Sequence, residues 1–125
     1  MSAHRRFADE WVDGWNKRDL EAILSHYSET VEFVSPRVAA AFARGAGVGD
    51  ASGRIVGREA LRAYFKEALD NLKVLSLEIK AVLSGVGESF AVVYTRETGA
   101  TVVEVFVLDN QGKAAKVQVY YDAVC

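Results

Sequence analysis

The apolar period of this chain changes near Leu72, and that change limits what it can fold into. Before it, apolar residues recur every three or four positions. After it, Leu75, Leu77, Ile79, Ala81 and Leu83 alternate with Ser76, Glu78 and Lys80. A spacing near 3.6 gathers side chains on one helix face, and a spacing of 2 gathers them on one strand face. Helices gathered at the front and consecutive strands behind them predict an α+β domain with a mainly antiparallel sheet.

The front half reads as follows. Phe7, Trp11, Gly14 and Trp15 predict an amphipathic helix from about Ala3 to Lys17. Asp19 precedes Leu20, Ile23, Leu24 and Tyr27, so it serves as the N-cap of a second helix that ends near Ser28. Thr30 to Ser35 is a short strand stopped by Pro36. From Pro36 to Gly57, Ala and Gly dominate. Arg37 to Arg44 can form a short helix, and the remainder reads as a mobile loop. A connection of about twenty residues is long, and such loops commonly serve as lids or binding loops. Gly57 opens another helix, whose apolar face carries Leu61, Tyr64, Phe65, Ala68, Leu69 and Leu72.

Behind the change of period come four strands. The first carries Leu75 to Leu83, and Gly85 and Gly87 turn the chain. Phe90 to Thr95 and Ala100 to Leu108 follow, separated by Glu97-Thr98-Gly99. Asp109-Asn110-Gln111-Gly112 makes a hairpin loop before Ala114 to Ala123. With 125 residues the chain fits one domain, 1–125, and 50% hydrophobic residues suffice for a full core.

Composition narrows the function. The net charge is −2, the sequence pI is about 5.7 and the charges are interleaved, so no nucleic-acid footprint is expected. Cys125 is the only cysteine, which rules out an internal disulfide. The first residues lack a signal peptide's apolar stretch, and no run approaches the roughly 18 apolar residues of a membrane span. The expected location is cytoplasmic, with no membrane partner. His4, His26 and a terminal Cys do not make a metal site, and His26 is expected to be structural or exposed. Gly45-Ala46-Gly47-Val48-Gly49-Asp50 lacks the Lys-Ser/Thr of a phosphate loop, and no Ser sits in a Gly-x-Ser-x-Gly elbow. No cofactor is expected.

The strand Thr101 to Leu108 is apolar on both faces. Val103, Val105 and Val107 point one way; Val102, Phe106 and Leu108 point the other, with Glu104 among them. Helices can cover one face. A second copy of the chain is the simplest cover for the other, which predicts a homodimer through the outer sheet face. The same alternation buries Glu104 among apolar neighbours, which raises a carboxyl pKa and suits it to general acid–base work or to donating a hydrogen bond. The competing reading is a buried salt bridge to Arg58, Arg62 or Arg96.

Several segments resemble the SnoaL-like proteins of the nuclear-transport-factor-2-like superfamily. They are Trp11 with Trp15-Asn16-Lys17-Arg18-Asp19-Leu20-Glu21-Ala22-Ile23, Thr30-Val31-Glu32-Phe33, Gly53-Arg54-Ile55-Val56-Gly57-Arg58-Glu59-Ala60-Leu61 with Tyr64-Phe65, and Asp109-Asn110-Gln111-Gly112-Lys113 with Tyr120-Tyr121. Their order covers nearly the whole chain. The resemblance implies a cone-like α+β barrel: N-terminal helices packed on a strongly curved, mainly antiparallel sheet, a pocket between them, and frequent dimerisation across the convex face.

That superfamily hosts isomerases, polyketide cyclases, dehydratases, epoxide hydrolases and silent binders, so the fold alone does not choose the chemistry. Ketosteroid isomerases of this type use a carboxylate base with a tyrosine and a protonated acid at the oxyanion. By the resemblance, Glu104 stands at the acid, Trp11 at the tyrosine and Phe33 at the base. Indole cannot ionise and Phe33 cannot take a proton, so steroid isomerisation by that route is not expected. A cyclase-type reaction needs only one carboxyl in an apolar pocket, and Glu104 can supply it.

Ten aromatic residues are candidates to line a pocket: Trp11, Trp15, Tyr27, Phe33, Tyr64, Phe65, Phe90, Tyr94, Phe106 and Tyr120. The resemblance selects Trp11, Trp15, Phe33 and Phe106, with Tyr27 and Tyr94 next. Three readings follow: an enzyme acting through Glu104 on a small apolar, polycyclic-type molecule; a non-catalytic binder of such a molecule; and a dimeric association domain.

Overall fold

A computed structural model describes residues 2–122. Four helices and six strands follow in the order α1 (Ala3–Asn16), α2 (Leu20–Leu24), β1 (Tyr27–Val34), α3 (Pro36–Ala43), β2 (Arg54–Val56), α4 (Arg58–Asn71), β3 (Glu78–Ser84), β4 (Ser89–Thr95), β5 (Thr101–Leu108) and β6 (Ala114–Tyr121). One sheet has the strand order β2-β1-β6-β5-β4-β3. Every pairing is antiparallel except β1 with β6. The α+β class and the mainly antiparallel sheet are as expected from the change of period.

Capping residues set where the helices begin. Ser2 accepts the amide of Arg5, Asp19 accepts that of Ala22, and Ser35 accepts that of Arg37 ahead of Pro36. Each satisfies an amide that the first turn leaves without a partner. At the other end of α4, the Arg18 guanidinium donates to the carbonyls of Leu69 and Leu72, and so closes that helix from outside.

Helix α1 packs on β3 and α2, α4 on β1, β2 and α2, and α3 on β2 and β6. The core between helices and sheet is aromatic. Phe7 meets Phe90 and Phe106 edge-on at 5.4 and 5.2 Å between centroids, and Trp11 meets Phe106 and Tyr94 at 5.4 and 5.6 Å. Phe65 collects Trp15, Tyr27 and Phe33 around its ring. Such edge-on contacts add to the stabilisation from burying each ring. Register irregularities occur in β1, in β3 and where β5 meets β6. Each bends its strand and increases the twist of the sheet.

Three expectations are corrected. The second helix stops at Leu24 instead of Ser28, because Tyr27 pairs with Ala114 and opens β1. Its spacing from Leu20 and Ile23 is helical, but its ring is fully buried from a strand. Leu75 and Leu77 precede β3 rather than belonging to it. The Asn16 side chain takes the place of a neighbouring strand there, donating to the Leu77 carbonyl at 3.0 Å and accepting its amide at 2.8 Å. The Gly-rich loop is tied down rather than loose. Asp50 accepts from Ser52 Oγ at 2.6 Å and from the amides of Ser52 and Arg54, and the Ser35 amide donates to the Gly53 carbonyl. Gly53 has φ +82°, and a Cβ there would stand 2.5 Å from the Ser35 carbonyl oxygen. The loop thereby delivers β2 to the edge of β1, an addition the sequence pattern did not reveal. Ala123 and Cys125 lie outside the described residues.

Candidate functional site

On β5, Val102, Glu104 and Phe106 face the helices, and Val103, Val105 and Val107 face away. The cross-strand partners of Glu104 are Val92 and Val119, both buried. Glu104 is 6% exposed and lines a cavity of about 650 Å³ between α3, α4 and the sheet. That volume falls within the range of small-molecule sites.

No ion pair holds Glu104 among the described residues. Arg58 pairs with Glu29, Arg62 with Glu21 and Glu59, and Arg96 with Glu97 at 3.1 Å. Each of the three arginines considered as a partner is thus committed elsewhere. The Tyr94 hydroxyl instead donates to Glu104 Oε2 at 2.6 Å. Burial pushes the carboxyl up to about 7, against the opposing pull of the Tyr94 hydrogen bond and the Arg96 charge. Tyr94 is pushed well above the ordinary phenol value by its own burial and by the Glu104 charge, so it remains a donor throughout.

Among the expected site residues, Trp15, Phe33, Tyr94 and Glu104 line the cavity. Trp11, Tyr27 and Phe106 do not; they form the packed layer beneath it. Trp11 Nε1 donates to the Tyr27 hydroxyl at 2.9 Å, inside the core. An indole donor committed in this way is not available to a ligand. Phe33 is 4% exposed against Phe65 and brings no ionisable group. Tyr120 lies on the outer face at 53% exposure, and its neighbour Tyr121 faces the cavity instead. His4 stacks on Phe90, and His26 meets the edge of Phe7; neither lines this cavity. No cluster that could hold a metal occurs among the described residues. No helix there is long and apolar enough to cross a membrane.

Sequence reasoning missed the rest of the wall. Arg37 and Arg44 come from α3 and its end, and Leu75 and Leu77 from the segment before β3, while Arg96, weighed as a partner of Glu104, lines the wall from the close of β4. Alternation does place Tyr121 on the same face as Val117 and Val119, so its position was readable. The arginines gave no comparable signal, because a cation on a short helix reads as solvent-facing until the sheet is placed beneath it.

A six-stranded, mainly antiparallel sheet packed against N-terminal helices, with one buried acid lining the cavity between them, defines the α+β class of this domain. The chain belongs to the SnoaL-like domain family, which matches residues 8–117. A SnoaL-like protein of unknown function from Burkholderia thailandensis E264 is 34% identical over 98% of this chain and 99% of that one, with a TM-score of 0.84. TerC co-crystallised with polyporic acid is 22% identical over 98% and 94%, with a TM-score of 0.76. SalBIII, an epoxide hydrolase/cyclase-like enzyme in pyran ring formation in polyether salinomycin, is 21% identical over 96% and 91%, with a TM-score of 0.70. The last two likenesses concern the fold. No curated protein matches the chain significantly.

Proposed function

We propose that the cavity binds a small, largely apolar molecule and that Glu104 transfers a proton on it, in chemistry of the isomerase, cyclase or lyase kind. The observation that carries this reading is a cavity-lining carboxyl without an ion pair among the described residues, held by Tyr94 and brought to about 7. Near neutral pH such a group is populated in both forms, which suits it to take a proton from one position and return it to another. Tyr94 occupies Oε2 and fixes the carboxyl plane. Oε1 accepts no hydrogen bond among the described residues and is the oxygen left to the ligand. A proton taken from a carbon beside a carbonyl and returned elsewhere needs no cofactor.

The test is exchange in deuterated water with a panel of cyclic ketones and enones. Wild-type protein should promote deuterium incorporation beside the carbonyl, and Glu104→Gln should abolish it. Binding without incorporation, for every ligand that binds, would refute proton transfer and favour a non-catalytic binder. That second reading is supported by Phe33 and Trp11, which bring neither a base nor an ionisable donor to the cavity.

Self-association accompanies either reading. Facing away from the helices, Leu83, Ala91, Val93, Val103, Val105 and Val107 lie on adjacent strands, with Leu83 at 57% exposure. An apolar sheet face of this kind favours cover by a second copy. Light scattering should give twice the chain mass, and Val105→Lys should return it to one; a monomeric wild type would exclude the dimer.

A further inference from the structure

The proton-transfer reading leaves the mouth of the cavity unused. Arg37 and Arg44 stand seven residues apart, two helical turns along α3 and its end, and both line the cavity. Residues at that spacing share one helix side. Neither makes an ion pair with a described residue, although Arg5, Arg54, Arg58, Arg62 and Arg96 all do. The Arg37 guanidinium instead lies over the Tyr121 ring, 4.9 Å from its centroid. Stacking of this kind orients the guanidinium and leaves its edge N–H groups for an acceptor.

Two phenols share this wall. The hydroxyls of Tyr64 and Tyr121 make no hydrogen bond among the described residues, and both residues line the cavity. Both feel the charge of the buried acid and that of Arg37. Burial raises both phenols, and Glu104 raises them further, while Arg37 pulls both back and Arg44 also pulls on Tyr64. Glu67 and Asp122 are the exposed acids of the rim. At Tyr64 the influence of Glu67 ranks below those of both arginines, although burial and Glu104 leave the phenol raised overall, so its hydroxyl stays a protonated donor.

We infer that the ligand of this cavity is an amphiphile, with a flat apolar body against Trp15 and Phe33 and an anionic group at the mouth, held by Arg37 and Arg44 with Tyr64 and Tyr121 donating. The inference rests on the reading of the cavity as a binding site for an apolar molecule, and it names the class of that molecule. A planar carboxylate or an acidic enol matches the guanidinium edge, and phenolic donors complete its coordination. The apolar wall gives the body its place but cannot orient it end for end; the cations at one end can.

Two fluorescent probes of nearly the same ring system separate the parts of this claim. 8-Anilinonaphthalene-1-sulfonate carries an anion, and N-phenyl-1-naphthylamine does not. Wild-type protein should bind both, the anionic probe about tenfold more tightly and with a stronger dependence on salt. Arg37→Gln combined with Arg44→Gln should weaken the anionic probe by about tenfold or more and leave the neutral one unchanged. Val105→Lys, on the outer sheet face, should leave both unchanged. Equal affinities in wild type, or equal losses in the arginine variant, would overturn the anionic assignment while the cavity reading stands. Loss of both probes in Val105→Lys would put them on the sheet; failure of the neutral probe to bind wild type would remove the cavity reading and this inference with it, and failure of the anionic probe alone would overturn only the anionic assignment.

Discussion

Replacing Glu104 by Gln tests the electrostatics of the site through stability alone, without knowing the ligand. The amide keeps the shape of the carboxyl and its oxygen can accept from Tyr94, but it does not titrate. In the folded protein Glu104 is raised from 4.5 to about 7, chiefly by burial. Between those values the native state holds a proton that the unfolded chain has released. Raising the pH through this window therefore favours unfolding, and stability that is fully present below it is lost above it. The gap of about 2.5 pKa units corresponds to about 3 kcal/mol, at about 1.4 kcal/mol per unit. Urea denaturation followed by tryptophan fluorescence, at about pH 5 and about pH 8, should show the wild type losing most of that amount relative to Glu104→Gln. In melting temperature the relative change is on the order of 10 °C. Parallel stability curves for the two proteins would refute the reasoning. A salt-bridged Glu104 would give the opposite slope, with wild type losing stability on acidification, so the sign of the difference alone separates the two readings.

Three further perturbations probe the surroundings. Tyr94→Phe removes a hydrogen bond that holds the Glu104 value down, so the midpoint of that pH dependence should move to higher pH; an unchanged midpoint in a carboxyl-resolved NMR titration would contradict the assigned partner. Tyr27→Phe strands the buried Trp11 indole N–H and should cost about 1–3 kcal/mol in chemical denaturation, whereas a neutral result would mean that the donor finds another acceptor. Gly53→Ala forces a Cβ to within 2.5 Å of the Ser35 carbonyl oxygen at φ +82°; a loss of about 1–3 kcal/mol is expected, with faster amide exchange at Ser35, and an unaffected amide would show that the loop does not depend on that approach.

The parts of the molecule that follow from local periodicity were legible in the chain. Asp19 was readable as an N-cap, since a short acceptor before a helical run has one efficient use. Glu104 was readable as buried because alternation along β5 leaves it no other face. Tyr27 was not, since Leu20, Ile23, Leu24 and Tyr27 have a helical spacing that a following strand happens to share. Only the parallel pairing with Ala114, almost ninety positions away, decides the matter. β2 was hidden for a similar reason. Three residues carry no period, and their strand conformation depends on the turn at Asp50 and the close approach at Gly53. The arginines of the cavity mouth belong to this class too, because what a short helix faces is a property of the sheet it lands on.

The fate of Trp11 sharpens the comparison between the site and the isomerase arrangement that the resemblance suggests. There an oxyanion needs two donors, one from the position of Trp11 and one from that of Glu104. Here the indole N–H is bound to the Tyr27 hydroxyl within the aromatic layer, so it adds to stability and cannot also answer charge on a ligand. Phe33 adds shape without proton chemistry. What remains on the floor is one acid and its phenol, Glu104 and Tyr94, with Tyr64 and Tyr121 as further donors toward the mouth. A site with one titratable acid can relay a proton between two positions of one molecule only if that molecule is held in a single orientation. Orientation must then come from outside the apolar floor, and Arg37 and Arg44 are the groups placed to supply it.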